Sequence, residues 1–117
     1  MHNRQMRMGL AHDQFLLVKQ GSRTIEIRLN DEKRQQLKVG DTIVFEDTTT
    51  AQTQRRTVSA LEKFTSFAEL YHKYRGPQVG SAPTDSETKM VADTYQLYTA
   101  WQEASFGVLA IHLQPAF

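Results

Sequence analysis

The chain contains no cysteine among its 117 residues. It therefore forms no disulfide, and it offers no thiolate nucleophile and no cysteine-ligated zinc or iron–sulfur site. It also lacks any apolar run approaching the roughly 20 residues that a membrane-spanning helix requires. The opening segment MHNRQMRMGL has no apolar centre of the kind found in signal peptides. These absences lead us to expect a cytoplasmic protein without a membrane partner.

An excess of charge of one sign is also missing, because 14 Lys and Arg residues face 13 Asp and Glu residues. The balance hides an asymmetry: residues 1–40 carry eight basic and four acidic side chains, whereas residues 41–117 carry six and nine. A basic N-terminal third is compatible with an anionic ligand such as a phosphate. It is too weak for the broad electrostatic footprint of a protein that binds duplex DNA.

The length and composition indicate a single domain over residues 1–117. Hydrophobic residues make up 39% of the chain and charged residues 23%, as in ordinary folded proteins. Within RTIEIRL, Ile25, Ile27 and Leu29 alternate with polar residues, which predicts a strand. Further strands are predicted at residues 6–10, 42–46, 55–64 and 107–113, the last nearly all apolar and therefore central. The polar loop over residues 47–54 predicts a hairpin, which favours an antiparallel sheet or barrel.

Helix and turn signals lie between these strands. HDQFLLVKQ predicts a helix over residues 12–20, with Gly21 as its left-handed stop. Asp31 is expected to cap a helical turn over residues 31–36, and Gly40 is expected to supply the positive φ of a tight turn.

Capping boxes predict three more helices in the second half of the chain. Each pairs a Ser or Thr with a Glu or Gln three residues later, beginning at Ser66, Thr84 and Thr99. In the middle helix, Tyr95 and Tyr98 would share one face with Val91. The result is an α+β domain.

The segment GSRTIEIR contains the motif on which the functional interpretation depends. Gly21, Arg23, Glu26 and Arg28 in this segment resemble the G-x-K-x-x-E-x-R signature of the ASCH domain family. Downstream, LKVGDTIVF resembles the K-x-G-D-x-I-x-F segment of that family, and FGVLAIHL resembles its closing strand. The similarity covers residues 6–113 and is closest in form to the small stand-alone ASCH proteins of Gram-positive bacteria.

This resemblance implies a fold and a range of activities. The fold is a small PUA-like β-barrel of about five mostly antiparallel strands with flanking helices, beside a cleft that the signature residues line. Family members are proposed to bind RNA or modified nucleosides. One branch hydrolyses N4-acetylcytidine with a lysine, a threonine and a glutamate, and another member is reported as a metal-assisted ribonuclease.

Two residues of the amidohydrolase branch are replaced here. Arg23 stands in place of the lysine, and an arginine stays protonated at neutral pH, so it cannot act as a base. Glu26 stands in place of the threonine nucleophile, and a carboxylate could act as base or nucleophile only by different chemistry. The acetylcytidine triad therefore does not transfer, although Arg23 can still hold a phosphate or carboxylate through two hydrogen bonds.

Each candidate residue also has a purely structural interpretation. Glu26 and Arg28 could form a surface ion pair, which contributes about 0–1 kcal/mol, but the family signature favours a cleft. Gly21 could be a helix stop or could let a phosphate approach the backbone. Tyr98, with Tyr95 and Trp101, could pack in the core or form a stacking platform for an unpaired base.

The histidines show no metal-ligand spacing, so neither a metal nor another cofactor is expected. They are His2, His12, His72 and His112. His112 lies within an apolar strand, which favours a structural, hydrogen-bonded role.

Two main hypotheses follow. The first is a binding module for RNA, a nucleoside or a nucleotide, with these ligand-binding residues: Gly21, Ser22, Arg23, Glu26, Arg28 and Tyr98. The second is a hydrolase that acts on a modified nucleoside or on RNA phosphodiesters, with Glu26 as the catalytic base. The two neighbouring arginines favour the ionised carboxylate, which opposes a base that must take up a proton near neutral pH. A regulatory protein-binding role stays open, as does the choice between monomer and weak dimer.

Overall fold

The computed structural model describes residues 4–115. Nine regular elements follow one another in this part of the chain: β1 Gln5–Leu10, α1 His12–Gln20, β2 Ile25–Leu29, β3 Thr42–Asp47, β4 Thr53–Phe64, α2 Phe67–Lys73, α3 Glu87–Thr94, α4 Ala100–Phe106 and β5 Val108–Pro115. Two short 3-10 turns, Arg34–Gln36 and Gly76–Val79, complete the set. Over the same residues, none of the helices has the length and apolar character that crossing a membrane requires.

All five strands join one curled sheet in the order β1-β3-β4-β5-β2. The predicted α+β class and the small barrel-like sheet of five strands are confirmed. The sheet is mixed, however, because β1 pairs with β3 in parallel while the other neighbours are antiparallel. A parallel pair needs a long crossover between its strands, and residues 11–41, which include α1 and β2, supply it. The predicted hairpin joins β3 to β4.

The sheet separates two apolar clusters. One contains Phe15 and Val18 of α1 together with Phe45 of β3, and the other contains Phe67 and Leu70 of α2. Strand β5 contributes to both, which explains its nearly continuous apolar sequence.

Strand β2 gives its three aliphatic residues to the α2 cluster. Its two charged residues lie on the opposite face, where Glu26 is paired with Ile111 and Arg28 with Leu109 of β5. The polar face of β2 is therefore turned toward the same side of the sheet as α1.

Most of the predicted turn signals operate as expected. Gly21 ends α1 with φ 89° and donates its N–H to the Val18 carbonyl. Gly40 has φ 97°. Asp31 accepts a 3.0 Å hydrogen bond from the backbone N–H of Arg34. The helical turn is shorter than predicted, however, because the 3-10 turn covers only Arg34–Gln36 and its N-cap is Lys33.

The three predicted capping boxes have different outcomes. Thr99 and Gln102 form the complete reciprocal box at the start of α4. Ser66 accepts from the backbone N–H of Glu69 as predicted, but the Glu69 carboxylate bonds the backbone of Thr65, one residue before the cap.

The prediction of a capping box at Thr84 is wrong, and α3 is shorter than predicted. Ser86 is the N-cap, with extended backbone angles, and its hydroxyl accepts from the N–H of Lys89. A serine two residues after Thr84 satisfies the first turn equally well, so the helix begins later. Because α3 ends at Thr94, Tyr95 and Tyr98 lie beyond it, although both rings contact Phe67.

Candidate functional site

A cavity of about 370 Å³ lies between the two edge strands of the sheet. Gly9 and Leu10 of β1 form one side, and Glu26 and Arg28 of β2 form the other. Helices α1, α2 and α3 contribute Gln14, Tyr71 and Thr94 to the walls, and the segment between α3 and α4 contributes Leu97 and Tyr98. The polar face of β2 thus lines a sheltered hollow. We refer to this space as the seam cavity.

Glu26 is the most buried charged group in the seam cavity, with 2% of its surface exposed. Its Oε1 accepts hydrogen bonds from Arg23 Nη2 at 2.6 Å and from the backbone N–H of Ile27 at 3.0 Å. Its Oε2 lies 3.6 Å from Arg28 Nη2, which is too far for a hydrogen bond. Within residues 4–115 this buried oxygen has no hydrogen-bond partner. It is therefore a buried acceptor without a donor, in a side chain that lines the seam cavity.

Arg23 holds Glu26 in place from the segment between α1 and β2. Only 8% of Arg23 is exposed. Its Nε donates to the Ile25 carbonyl at 3.3 Å, and its Nη1 donates to Gln14 Oε1 at 2.7 Å. A buried ion pair needs such additional hydrogen bonds to offset the desolvation of both charges.

Arg28 connects the two sides of the seam cavity. Its Nη2 donates a 2.9 Å hydrogen bond to the carbonyl oxygen of Gly9 on β1, and 17% of its side chain is exposed. A guanidinium carries five N–H donors, so most of those of Arg28 remain available to an incoming group.

Tyr71 and Tyr98 form a wall with fixed geometry. The Tyr71 hydroxyl donates to Thr94 Oγ1 at 2.8 Å, and Thr94 in turn donates to the Met90 carbonyl at 2.8 Å. Burial raises the pKa of Tyr71, so its phenol stays protonated at neutral pH. The Tyr98 ring stacks on Phe67, with centroids 5.6 Å apart and an interplanar angle of 17°.

Gly80 leaves room for the contact between Gln14 of α1 and Arg23. Its carbonyl accepts from Gln14 Nε2 at 3.2 Å, and its φ of 84° favours glycine. A Cβ at this position would lie 2.2 Å from Gln14 Oε1 and 3.2 Å from Arg23 Cδ. The absence of a side chain here therefore lets Gln14 reach Arg23.

Four of the predicted ligand-binding residues meet in the seam cavity: Arg23, Glu26, Arg28 and Tyr98. Gly21 and Ser22 do not line it. Gly21 borders a separate hollow of about 30 Å³. The Ser22 hydroxyl donates to the Leu17 carbonyl and accepts from Gln20.

Tyr95 and Trp101, the other members of the predicted aromatic group, also lie outside the seam cavity. The Tyr95 hydroxyl donates to Glu103 Oε1 at 2.5 Å. Trp101 is 71% exposed, with its ring edge-to-face against Phe106.

Sequence reasoning missed four residues of the site: Gln14 of α1, Tyr71 of α2, Thr94 at the end of α3, and Leu97 in the segment between α3 and α4. They join the site through contacts that are distant in sequence; the bond between Gln14 and Gly80 spans 66 residues. A local pattern gives no signal for such a contact. The buried residues Phe15 and Val18 define the face of α1 that packs against the core. Gln14 immediately precedes Phe15, so this pattern would have placed Gln14 beside that face.

No group of three or more His, Asp or Glu side chains in residues 4–115 is arranged to hold a metal ion. His2 lies outside the described residues. His112 Nε2 and Glu62 Oε1 are 2.6 Å apart, and Glu62 also accepts from Tyr74 and Lys73. His112 therefore contributes to a polar cluster that joins β4 and β5 to the end of α2.

A curled mixed sheet with flanking helices and a charged cleft defines a small PUA-like α+β domain. The model of the ASCH domain family matches residues 8–117, and the chain belongs to this family. The comparison with curated proteins gives no match.

Solved structures agree with this assignment. The crystal structure of hypothetical protein PH0355 is 33% identical, with a TM-score of 0.85 over 96% of this chain and 99% of that one. The solution structure of PF0455 from Pyrococcus furiosus is 31% identical, with a TM-score of 0.71 over 95% and 96%. The ASCH protein of Zymomonas mobilis is 13% identical, with a TM-score of 0.66 over 95% of this chain and 67% of that one. This last likeness concerns the fold alone.

Proposed function

We propose that this protein binds single-stranded RNA or a nucleoside in the seam cavity, with the edge of a base against Glu26 and Arg28. The observation that carries the proposal is the buried Glu26 Oε2 without a hydrogen-bond partner in residues 4–115. Leaving a buried carboxylate oxygen unpaired is costly, and a ligand N–H would remove that cost. Membership of the ASCH family supports the same class of ligand.

The chemistry of the pair suits a nucleobase. Glu26 offers an acceptor, and Arg28, 3.6 Å away, offers donors. A base edge presents donors and acceptors side by side, and carboxylates accept hydrogen bonds from the exocyclic amine of cytosine. Tyr98 and Leu97 supply apolar surface for the base. With Arg23 included, the three charged groups carry a net positive charge, which favours a ligand that bears phosphate.

Calorimetric titration with the four nucleosides and a short single-stranded RNA tests this proposal. We expect micromolar affinity that weakens with salt for the RNA. Glu26→Gln keeps an acceptor for Arg23 but replaces one carboxylate oxygen with a donor, so affinity should fall about tenfold. Glu32→Gln, on the exposed surface, is the matched control. Equal affinity in Glu26→Gln, or no binding of any of these ligands, would refute the proposed function.

A hydrolase is the second candidate, and the same free Glu26 oxygen is the observation that favours it. In this candidate, the Glu26 carboxylate would act as the catalytic base toward a modified nucleoside or an RNA phosphodiester. Assays with acylated cytidines and short RNAs, repeated with Glu26→Gln, separate the two candidates. Turnover that this variant loses supports the hydrolase; binding without turnover supports the binding module.

A further inference from the structure

A second cavity of about 340 Å³ adjoins the seam cavity. The two cavities share five lining residues: Gln14, Arg23, Tyr71, Thr94 and Leu97. The second cavity then extends past Ser81 and Ala82 to the polar side of α3. We refer to it as the α3 cavity.

We propose that the ligand is a dinucleotide segment of single-stranded RNA that occupies both cavities. One base lies at Glu26, the phosphodiester between the two nucleosides lies at Arg23, and the neighbouring nucleoside lies in the α3 cavity. This inference rests on the proposed function, because it specifies the ligand of the same site.

Arg23 has the properties that a phosphodiester at this junction requires. It lines both cavities while only 8% of it is exposed. Its contacts to Ile25, Gln14 and Glu26 use three of the five guanidinium N–H groups. The remaining two can donate to phosphate oxygens, and such charge-assisted bonds are strong in a sheltered site.

The α3 cavity suits a nucleoside better than a second phosphate. Lys89 lies between two carboxylates, with its Nζ 2.7 Å from Asp93 and 3.9 Å from Asp85. The hydrogen bond to Asp93 raises the pKa of Lys89, so these three groups carry one net negative charge at neutral pH. That charge repels a phosphate, whereas carboxylate oxygens accept hydrogen bonds from ribose hydroxyls. The 2′-hydroxyl of RNA would supply one such donor.

The volumes of the two cavities agree with one nucleoside in each. Each cavity lies near the lower end of the range of about 300–1,000 Å³ for small-molecule sites. Leu97 borders both cavities and is 77% exposed, so it places apolar surface where the two bases would come closest.

The test compares cytidine, cytidylyl-3′,5′-cytidine and the same dimer with a neutral methylphosphonate linkage. We expect the phosphodiester dimer to bind about tenfold more tightly than cytidine, because it adds bonds to a charged group. A plot of log K against log salt for this dimer should have a slope near −0.7, as expected for one phosphate of a single strand. The methylphosphonate dimer should show no such slope, and it should bind less tightly than the phosphodiester dimer.

Filling the α3 cavity provides an independent test. Ala82 lines this cavity and is exposed, so Ala82→Trp should lower the affinity for the dimer to the level measured for cytidine. Thr84→Trp, an exposed position in the same loop, should bind the dimer like the unmodified protein.

The outcomes separate this inference from the proposed function. If cytidine binds and the phosphodiester dimer binds no more tightly, the proposed function stands and the two-cavity inference is wrong. Equal affinity of the phosphodiester and methylphosphonate dimers overturns the role of Arg23. If neither cytidine nor the dimer binds, both proposals fail.

Discussion

Arg28, on one edge strand of the sheet, donates a 2.9 Å hydrogen bond to the carbonyl oxygen of Gly9 on the other edge strand. Direct backbone pairing would bring β1 and β2 to about 4.8 Å and remove the space between them. A long side chain bridges the two edges instead, and the seam cavity lies beside this bridge. The open part of the sheet and the candidate site are therefore one feature.

Replacing the bridge should weaken both the fold and the binding of a ligand. Arg28→Met keeps the aliphatic stem but loses the bond to Gly9, so the free energy of unfolding should fall by about 1–2 kcal/mol. Affinity for the nucleoside or RNA should fall as well, because the donors beside Glu26 disappear. Urea denaturation and calorimetry measure the two effects. Arg55→Met, on the exposed surface of β4, is the control and should change neither quantity appreciably.

The Arg23–Glu26 pair should show strong energetic coupling, because both partners are buried. Removing either charge alone deprives the other of its hydrogen-bonded partner, which costs about 3–5 kcal/mol for a buried pair. The double variant Arg23→Met, Glu26→Met removes both charges and should therefore be less destabilised than the sum of the single variants. Urea denaturation of the four proteins gives the coupling energy. Additive losses would show that the two side chains do not depend on each other for compensation.

The sequence predicted the elements better than their assembly. Alternation in RTIEIRL and the apolar run of β5 report local burial, and both strands were found. The parallel pairing of β1 with β3 was not predicted. The two strands are separated by 31 residues, and no local sequence pattern reveals the relative direction of strands so far apart. The start of α3 was misplaced because Thr84 and Ser86 are both acceptable caps, and only the backbone angles distinguish them.

The residues of the candidate site also fall into two groups, those that could be predicted from the sequence and those that could not. Glu26 and Arg28 could be named from the sequence because one strand carries both at fixed spacing, two residues apart. Gln14, Tyr71 and Thr94 could not be named, since they reach the seam cavity from three other elements. Gly21 stands in the signature segment, yet its Cβ would meet no atom within 4 Å, in keeping with its place outside the seam cavity.

Two glycines with similar backbone angles allow a matched comparison. Gly80 and Gly21 have φ of 84° and 89°, so Gly80→Ala and Gly21→Ala should each lose about 1–2 kcal/mol of unfolding free energy from the left-handed conformation. Only Gly80→Ala also pushes against Gln14 and Arg23. We therefore expect a larger loss of stability and a lower ligand affinity in Gly80→Ala alone. Equal ligand affinities in the two variants would show that Gly80 does not position these side chains.

Asp47 joins the start of α1 to the β3–β4 hairpin. It is 1% exposed, and its carboxylate accepts from His12 Nδ1 at 2.6 Å, from the backbone N–H of Thr49 at 2.9 Å and from the Thr50 hydroxyl at 2.9 Å. Burial alone would raise the pKa of Asp47. The hydrogen bonds, led by the one from His12, outweigh burial and lower this pKa from 3.8 to about 2.

This lowered pKa predicts how stability changes in acid. In the unfolded chain Asp47 takes up its proton near its ordinary pKa, whereas in the folded protein it stays ionised until about pH 2. The ionised carboxylate therefore stabilises the fold fully above about pH 4, and this contribution is lost as the pH falls through the folded pKa. Asp47→Asn cannot titrate, so its deficit in unfolding free energy should be largest near pH 5 and shrink toward pH 2. Urea denaturation of both proteins across this range measures the deficit. A deficit that stays constant down to pH 2 would mean that folding does not change the proton affinity of Asp47.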